Sequence, residues 1–451
     1  MHIGNLRTAL YGYLITKRAG GTFILRIEDT DQNRYVEGAM DIIFNTFNTM
    51  GINFDEGPGI GGSHGPYIQS ERKDTYLPLA EELIKKGEAY YCFCKKERLE
   101  GMQKYDRFCH GNPRVPNDGE PFVVRQFIPD GKTTFHDEVF GDITIDHEEI
   151  EDQILIKSDG MPTYNFANVV DDHAMEISHV IRGNEYLTST PKYQLLYKAF
   201  GWDAPVYIHM PLLLSEDGGK ISKRKGDFSV KGLLDAGYLP EAIINYIAFL
   251  GWSSPDNREL FSLSELTEVF DAKNISKSPA SYDQKKLNWM NGEHIKRLPE
   301  DMFYEMALPV LKSAIKNPDI NLRNIAKMLQ SRVQFVHECA EMVDFIDKLP
   351  DYSPDLYTHK KMKTTPEVAL TALEAILPVY KNTDNWINEV LYAAATECAE
   401  TLEFKNSQVL WPIRTALSGK PSSPCGASEL CVLLGKDETI KRLEIGVNKL
   451  K

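Results

Sequence analysis

The chain has 451 residues, which predicts about two to four domains, and its 42% hydrophobic and 26% charged residues exclude a disordered, fibrous or coiled-coil protein. The formal net charge of −14 predicts good solubility, so any nucleic-acid partner must be bound through local basic patches. No stretch approaches the roughly 18 apolar residues of a membrane span and the seven cysteines are odd in number and thinly spread, so we expect a cytoplasmic chain without disulfides.

The first elements alternate between helix and strand. Apolar residues from Leu6 to Leu14 recur at helical spacing, Gly20 and Gly21 are expected to end that helix, and residues 22–27 have the pattern of a strand. The segments that follow are a helix over residues 35–50, a glycine-rich loop over residues 57–62 and a helix from residue 70. This alternation predicts an α/β core.

The pattern changes twice further along the chain. Between about residues 92 and 159, short strand-like segments such as residues 142–145 are separated by Pro, Asp and Gly, which indicates an inserted module. From about Pro299 onward the pattern is helical, and Thr365 followed by Pro366 is typical of a helix start. We therefore expect the last third of the chain to be all α.

A short motif at the start of the first helix, residues 2–5, has the chemistry of a phosphate site. Backbone N–H groups and the positive end of the helix dipole favour phosphate there, Gly4 allows close approach, and His2 and Asn5 are hydrogen-bond donors. The alternative is a structural histidine at a helix start, which is the commoner explanation for this motif taken alone.

A basic loop follows Gly218 and Gly219, with the sequence Lys-Ile-Ser-Lys-Arg at residues 220–224. Two lysines three positions apart are suited to clamp a triphosphate. The alternatives are a solvated basic loop and part of a nuclear-import patch.

An acidic run at residues 26–31 follows the predicted strand of residues 22–27. Doubly wound folds present ligand-binding groups at the carboxyl ends of strands, and Glu28 is suited to pair with an ammonium group there. An acidic turn and a divalent-metal loop are the alternatives.

The helix-start motif and the Lys-Ile-Ser-Lys loop together resemble the paired signatures of class I aminoacyl-tRNA synthetases, in which Asn5 is an accepted variant. Over nearly its whole length, the chain resembles the glutamyl branch of that family. The motifs that carry this likeness lie at residues 26–31, 65–72, 159–164, 168–173, 181–183, 287–292 and 411–414.

The resemblance implies a Rossmann-like α/β catalytic domain with an inserted module and a helical anticodon-binding region. The implied divisions are two catalytic halves at 1–70 and 187–225, an inserted acceptor-stem-binding module at 71–186, a stem-contact domain at 226–300 and an all-α anticodon-binding region at 301–451. The implied reaction joins glutamate to tRNA(Glu) through a glutamyl-adenylate made from ATP and Mg²⁺. The enzyme is expected to act as a monomer.

Site residues follow from the same resemblance. The catalytic positions are His2, Asn5, Lys220 and Lys223, and ATP would also contact Gly4, Ile221, Ser222 and Arg224. Glutamate would be held by Glu28, Tyr164, Asn168 and Arg182, because a guanidinium offers a bidentate fork to a carboxylate. An arginine after an apolar strand is otherwise more often part of a surface ion pair. Arg332 falls where the anticodon reader often carries arginine, so we expect discrimination against glutamine tRNA.

Soft and borderline metal ligands cluster in the predicted inserted module. Cys92, Cys94, Tyr105, Cys109 and His110 suffice for a tetrahedral zinc site, and a cluster of buried thiols is the alternative. Some bacterial members of the family carry zinc at this place and others have lost it. Cys109 and His110 are adjacent, whereas the zinc-bearing pattern has one residue between them.

The chain begins directly at the histidine motif, where family members carry a preceding strand. We therefore expect that about a dozen residues are missing, and that unpaired ladder groups would make activity depend on restoring them. The alternatives to a glutamate-specific enzyme are a non-discriminating synthetase that also charges tRNA(Gln) and an inactive tRNA-binding protein.

Overall fold

The computed structural model describes residues 1–31, 38–219 and 228–451, which form two compact units. The first unit comprises Met1–Ala236 and Pro240–Leu287, and the second comprises Gly237–Leu239 and Asn288–Lys451. In the described parts of the chain, no helix has both the length and the apolar character needed to cross a membrane.

In the first unit, helices and strands alternate along the chain. The helices are α1 (Ile3–Arg18), α2 (Ala39–Met50), α3 (Lys73–Lys85), α4 (Lys96–Leu99), α5 (Phe108–Gly111), α6 (Tyr164–Ala174), α7 (Thr190–Phe200), α8 (Val230–Asp235), α9 (Pro240–Ala248) and α10 (Leu263–Val269). The strands are β1 (Ala89–Cys92), β2 (Val123–Gln126), β3 (Lys132–Asp137), β4 (Gly141–Asp146), β5 (Ile154–Ile156), β6 (His179–Gly183), β7 (Val206–Met210), β8 (Leu213–Leu214) and β9 (Ala280–Ser281). Short 3-10 helices lie at Gln69–Arg72, His147–Glu149, Asn184–Ser189 and Ala272–Asn274.

Helix α1 begins and ends with clear local signals. His2 is its N-cap, and its Leu6, Leu10 and Leu14 side chains are fully buried on one face. After the last turn, Gly20 has a φ of +67°, the left-handed conformation that commonly follows a helix. The helix expected from the spacing and its glycine end are therefore both present.

The main sheet has the strand order β4-β3-β7-β6. Strands β6 and β7 are parallel and are connected through α7, so their carboxyl ends meet at one edge of the sheet. Strands β3 and β4 form an antiparallel hairpin with six paired positions, and β3 joins the parallel pair through Asp137 opposite Tyr207. A separate antiparallel sheet has the order β1-β2-β5. The hairpin of the predicted inserted module thus extends the main sheet, a pairing that the sequence pattern did not predict.

The predicted strand at residues 22–27 is extended but does not form a regular ladder. Ile24 makes a single parallel bridge with Glu56, and Ile27 makes another with Ile68. Because two different loop segments each provide only one partner, the pairing is too short for a continuous strand. Helix α2 begins at Ala39, and residues 32–37, which include the start of the predicted second helix, lie outside the described residues.

From residue 284 onward the structure is helical. The helices are α11 (Gln284–Arg297), α12 (Glu300–Ala314), α13 (Leu322–Gln330), α14 (Glu338–Val343), α15 (Pro366–Lys381), α16 (Asn388–Thr401), α17 (Asn406–Ser418), α18 (Ala427–Leu434) and α19 (Lys436–Leu450), with a 3-10 helix at Pro354–Tyr357. Residues 288–451, all of which the structure describes, contain no strand. Thr365 caps α15 by accepting from the Val368 amide at 3.3 Å, and Pro366 is the first helical residue, as predicted.

Candidate active site

The start of α1 presents a hydrogen-bond donor beside a glycine. The His2 Nδ1 atom accepts from the Gly4 amide at 3.1 Å, so the neutral ring carries its proton on Nε2. A Cβ on Gly4 would lie 3.3 Å from that Nδ1 atom, so a side chain there would crowd the His2 ring. Asn5 is exposed on the first turn. The Ile3, Gly4 and Asn5 amides all donate within the protein, so the helix start presents its positive dipole end and the exposed Asn5 side chain to an anion.

The described residues on either side of the predicted triphosphate clamp border this helix start. Lys220, Ile221, Ser222, Lys223 and Arg224 lie outside the described residues. Before them, the Leu213 side chain lies 3.8 Å from the Cβ position of Gly4. After them, Phe228 accepts from the Ile3 amide at 3.0 Å, and Ser229 pairs antiparallel with His2. The structure therefore brings the flanks of the second motif to the first motif.

A charge cluster surrounds Glu28. The Arg26 Nη2 atom donates to Glu28 at 3.1 Å and to Asp172 on α6 at 2.8 Å, and Asp172 is nearly buried. Burial raises the pKa of Asp172. One guanidinium faces two carboxyl groups here. The cluster therefore suits an additional positive group such as an ammonium.

Tyr164 and Asn168 project from the first two turns of α6. Burial, followed by the charge of Glu28, raises the pKa of Tyr164, so its hydroxyl stays protonated. The Asn168 side-chain oxygen accepts from Gln69 at 3.3 Å. Both predicted glutamate-binding residues are thus next to the Glu28 cluster.

Arg182, at the end of β6, is held on several sides. Its Nε atom donates to His209 Nε2 at 3.0 Å, and its Nη2 atom donates to Thr190 at 2.7 Å. The guanidinium lies 4.7 Å from the ring centre of Tyr193 and 5.3 Å from that of Tyr207.

One small cavity lies between helices α6 and α7 and strands β6 and β7. Its lining residues are Asn168, Val169, Asp172, Val180, Arg182, Tyr193, Tyr197 and Tyr207. The predicted residues Asn168 and Arg182 therefore face the same space, with Tyr164 and Glu28 beside it through Asp172 and Arg26.

A buried ion pair fixes α6, which carries several of these residues. Arg72 donates from Nε to Asp171 Oδ1 at 2.7 Å, and the Asp171 side chain is fully buried. Gln69 and Tyr76 each donate to the other Asp171 oxygen at 2.9 Å. Because Gln69 also donates to Asn168, the same network orients a cavity residue.

Three of the predicted metal ligands form a compact thiol cluster with a tyrosine. The sulfur atoms of Cys92, Cys94 and Cys109 lie within 4.8 Å of one another. The Tyr105 hydroxyl is 3.4 Å from the sulfurs of both Cys92 and Cys94. Burial raises the pKa of the Cys94 thiol to about 11. Three soft sulfur donors and one tyrosine oxygen have the number of ligands that a tetrahedral zinc site needs.

The structure does not bring His110 to this cluster. Its ring stacks on Phe127 with the ring centres 4.2 Å apart and makes an edge contact with Tyr90.

The predicted anticodon residue Arg332 follows α13 in the second unit and is exposed. Its charge lowers the pKa of the Cys425 thiol, although burial dominates and leaves that pKa raised, at about 12.

The comparisons with known proteins agree over the whole chain. A family model for the catalytic domain of class I tRNA synthetases (E and Q) matches residues 1–289, and an anticodon binding domain model matches residues 302–447. A glutamate--tRNA ligase of Clostridium botulinum (strain Eklund 17B / Type B) is 53% identical, with 100% of this chain and 96% of that protein covered. The chain belongs to the class I tRNA synthetases of the glutamate and glutamine group.

Other members of this family support the assignment. A glutamate--tRNA ligase of Clostridium tetani is 54% identical, again with 100% of this chain and 96% of that protein covered. A solved glutamate tRNA ligase of Elizabethkingia meningosepticum, in complex with its amino acid, has a TM-score of 0.86 at 32% identity and covers 100% of this chain and 97% of that chain. The predicted family, enzyme class and fold class are confirmed, and class I synthetases use ATP with Mg²⁺.

Several residues of the site were not predicted from the sequence. Arg26 and Asp172 lie inside the motifs at residues 26–31 and 168–173, but neither those motifs nor the pattern around Asp137 and His209 predicted a role for these four residues. The available signal was a lone polar residue in an apolar strand, as for His209 in β7. A buried polar group needs a partner, so such a position is worth examining.

Proposed function

We propose that this chain is a glutamate--tRNA ligase that uses ATP to join glutamate to tRNA(Glu), with AMP and pyrophosphate as the other products. The observation that carries the proposal is the placement of these groups in the first unit. A helix start bordered by both flanks of a lysine-bearing segment lies in the same unit as a cavity lined by Arg182 and Asp172, with Glu28 beside it through Arg26. The relatives at 53% and 54% identity bear the same enzyme name.

The first step activates glutamate. An α-carboxylate oxygen of glutamate attacks the α-phosphorus of ATP, the bond to the β-phosphate oxygen breaks, and pyrophosphate leaves. His2 and Asn5 donate to phosphoryl oxygens, Gly4 lets ATP approach the backbone closely, and Lys220 and Lys223 neutralise the charge that develops on the leaving group. Ile221, Ser222 and Arg224 complete the ATP contacts. Mg²⁺ supplies further positive charge to the phosphates.

The glutamate side of the site uses opposite charges for the two ends of the amino acid. The ammonium group binds Glu28, next to Asp172, where carboxyl groups outnumber guanidinium groups. A carboxylate of the substrate binds the Arg182 guanidinium, Asn168 lines the same cavity, and Tyr164 lies beside it near Glu28. A substrate with one positive and two negative groups fits this distribution.

The second step transfers the glutamyl group. The terminal ribose hydroxyl of tRNA attacks the carbonyl carbon of the adenylate, and AMP leaves. We assign acceptor-stem binding to residues 71–186, stem contacts to residues 226–300 and anticodon recognition to residues 301–451. Arg332 is assigned to the anticodon, with its exposed position as support, and it would favour tRNA(Glu) over tRNA(Gln).

Zn²⁺ would be held by Cys92, Cys94, Cys109 and Tyr105, and it would link β1 to the segment that contains α5. The thiols must lose their protons to bind a metal, and the positive charge of zinc would favour that loss at Cys94, whose pKa burial raises. His110 is assigned no role because its ring packs on Phe127.

The decisive experiment is pyrophosphate exchange and aminoacylation by the purified full chain with tRNA(Glu) and tRNA(Gln). We expect glutamate-dependent exchange and charging of tRNA(Glu). Lys223→Met should lower the activation rate by about a hundredfold or more while tRNA affinity changes little. Lys231→Met, at an exposed position in α8, is the matched control and should retain the activity.

Three other outcomes would change the proposal. Equal charging of tRNA(Gln) would identify a non-discriminating enzyme, and tRNA binding without exchange would identify an inactive binding protein. An unchanged activation rate in Lys223→Met would remove the assigned role of that lysine.

We also propose that the enzyme acts in the cytoplasm as a monomer, and light scattering of the purified chain would detect a dimer.

A further inference from the structure

His209, which holds Arg182, is itself held by the buried carboxyl group of Asp137 on the next strand. Asp137 lies at the end of β3, His209 on β7 and Arg182 on β6, and these strands are adjacent in the order β3-β7-β6. His209 Nδ1 lies 2.6 Å from Asp137 Oδ2, and His209 Nε2 lies 3.0 Å from Arg182 Nε. The three side chains therefore form a continuous line across the sheet.

The chemistry of arginine determines which nitrogen of His209 carries the proton. A guanidinium has only donors, so Arg182 Nε–H must donate and His209 Nε2 must accept. The neutral ring then carries its proton on Nδ1 and donates it to Asp137. Burial lowers the pKa of His209, which keeps the ring neutral and preserves the acceptor.

Asp137 is well suited to hold this tautomer. Its side chain is fully buried, and it accepts from the backbone amides of Val139 at 3.0 Å, Phe140 at 2.8 Å and His209 at 3.0 Å. Burial alone would raise its pKa, but the hydrogen bonds from His209 and these amides hold the pKa of Asp137 below its ordinary value. The ionised carboxylate has no donor of its own, so only the Nδ1–H tautomer can bind it.

We propose that Asp137 and His209 are positioning residues that hold the Arg182 guanidinium in the orientation that receives a carboxylate of the substrate. This inference rests on the proposed function. With Nε bound to His209 and Nη2 bound to Thr190, the guanidinium plane is fixed, and Arg182 lines the cavity in that orientation. Neither positioning residue lines the cavity, so each acts through Arg182.

Two replacements of His209 separate the two hydrogen bonds of its ring. In His209→Asn the amide N–H₂ can still donate to Asp137, but the acceptor for Arg182 is lost. In His209→Gln the longer side chain can place its carbonyl oxygen near the former Nε2 atom, so the acceptor for Arg182 is retained. His147→Asn is the matched control, because His147 is also buried and is hydrogen-bonded to Pro129 and Thr133 in the same unit.

The measurement is steady-state pyrophosphate exchange with tRNA(Glu) present. We expect His209→Asn to raise the KM for glutamate about tenfold, as for one lost hydrogen bond to a charged group, with the KM for ATP and kcat within about twofold of the wild type. His209→Gln should recover most of the glutamate affinity. His147→Asn should leave the KM for glutamate near the wild-type value.

The possible failures are distinguishable. Absence of glutamate-dependent exchange in the wild type would overturn the proposed function and this inference with it. Normal wild-type exchange with an equal KM for glutamate in His209→Asn and His209→Gln would overturn the inference alone.

A second measurement needs no variant. In ¹⁵N-histidine-labelled wild-type protein near neutral pH, we expect one histidine with Nδ1 protonated and Nε2 unprotonated whose signals shift when glutamate is added. If no histidine shows both properties, the inference is wrong.

Discussion

Loss of the Arg72 guanidinium should destabilise the first unit far more than loss of a surface charge. The Asp171 side chain is fully buried and that of Arg72 is 8% exposed. Arg72→Met therefore leaves a buried carboxylate whose Oδ1 atom has lost its donor. Breaking a buried ion pair from one side costs about 3–5 kcal/mol. The Pro66 carbonyl, which accepts from Arg72 at 3.2 Å, also loses that donor.

The assay is urea unfolding of the whole chain, combined with hydrogen exchange of the α6 peptides. Lys132→Met is the matched control, because Lys132 pairs with Asp146 at 3.3 Å on the surface, where 66% of the lysine side chain is exposed. That variant should lose at most about 1 kcal/mol. Arg72→Lys keeps the charge without the Nε geometry and should lose less than Arg72→Met.

The outcome that refutes this reasoning is specific. If Arg72→Met and Lys132→Met lower the free energy of unfolding equally and α6 exchanges as in the wild type, Asp171 does not depend on the buried pair. Adding Asp171→Asn to Arg72→Met should restore part of the lost stability, because the neutral amide is cheaper to bury than an unpaired carboxylate.

Three further predictions concern other parts of the chain. Arg442→Met should destabilise the second unit by about 3 kcal/mol or more, because the buried guanidinium donates to three backbone carbonyls, whereas exposed Lys441→Met should not, as urea unfolding would reveal. Gly251→Ala, at φ +106° with its Cβ 2.9 Å from a proline ring, should lower Tm more than Gly59→Ala at φ +83° in open space. In metal-free protein at about pH 8, Cys94 should be alkylated more slowly than an ordinary thiol, because its pKa of about 11 leaves little thiolate; equal rates by peptide mass spectrometry would contradict this.

Local signals were sufficient to predict the helix ends and the start of the candidate nucleotide site. The cap at Thr365, the glycine after α1 and the motif at His2 all depend on contacts between residues at most a few positions apart. Such contacts can be inferred from spacing alone. The resemblance to class I synthetases then extended the prediction to the family and to candidate residues in both units.

The tertiary structure alone decided which strands are neighbours and which polar groups meet. Asp137, His209 and Arg182 are far apart in the sequence and come together only because β3 joins β7 and β7 joins β6. In the same way, Arg26 meets Asp172 only after α6 packs beside the segment that follows α1. Strand order and helix packing depend on the burial of many side chains at once, so no local pattern specifies them. The sequence by itself therefore determined the chemical groups available to the site, and the packing of the sheet and helices decided which of them act together.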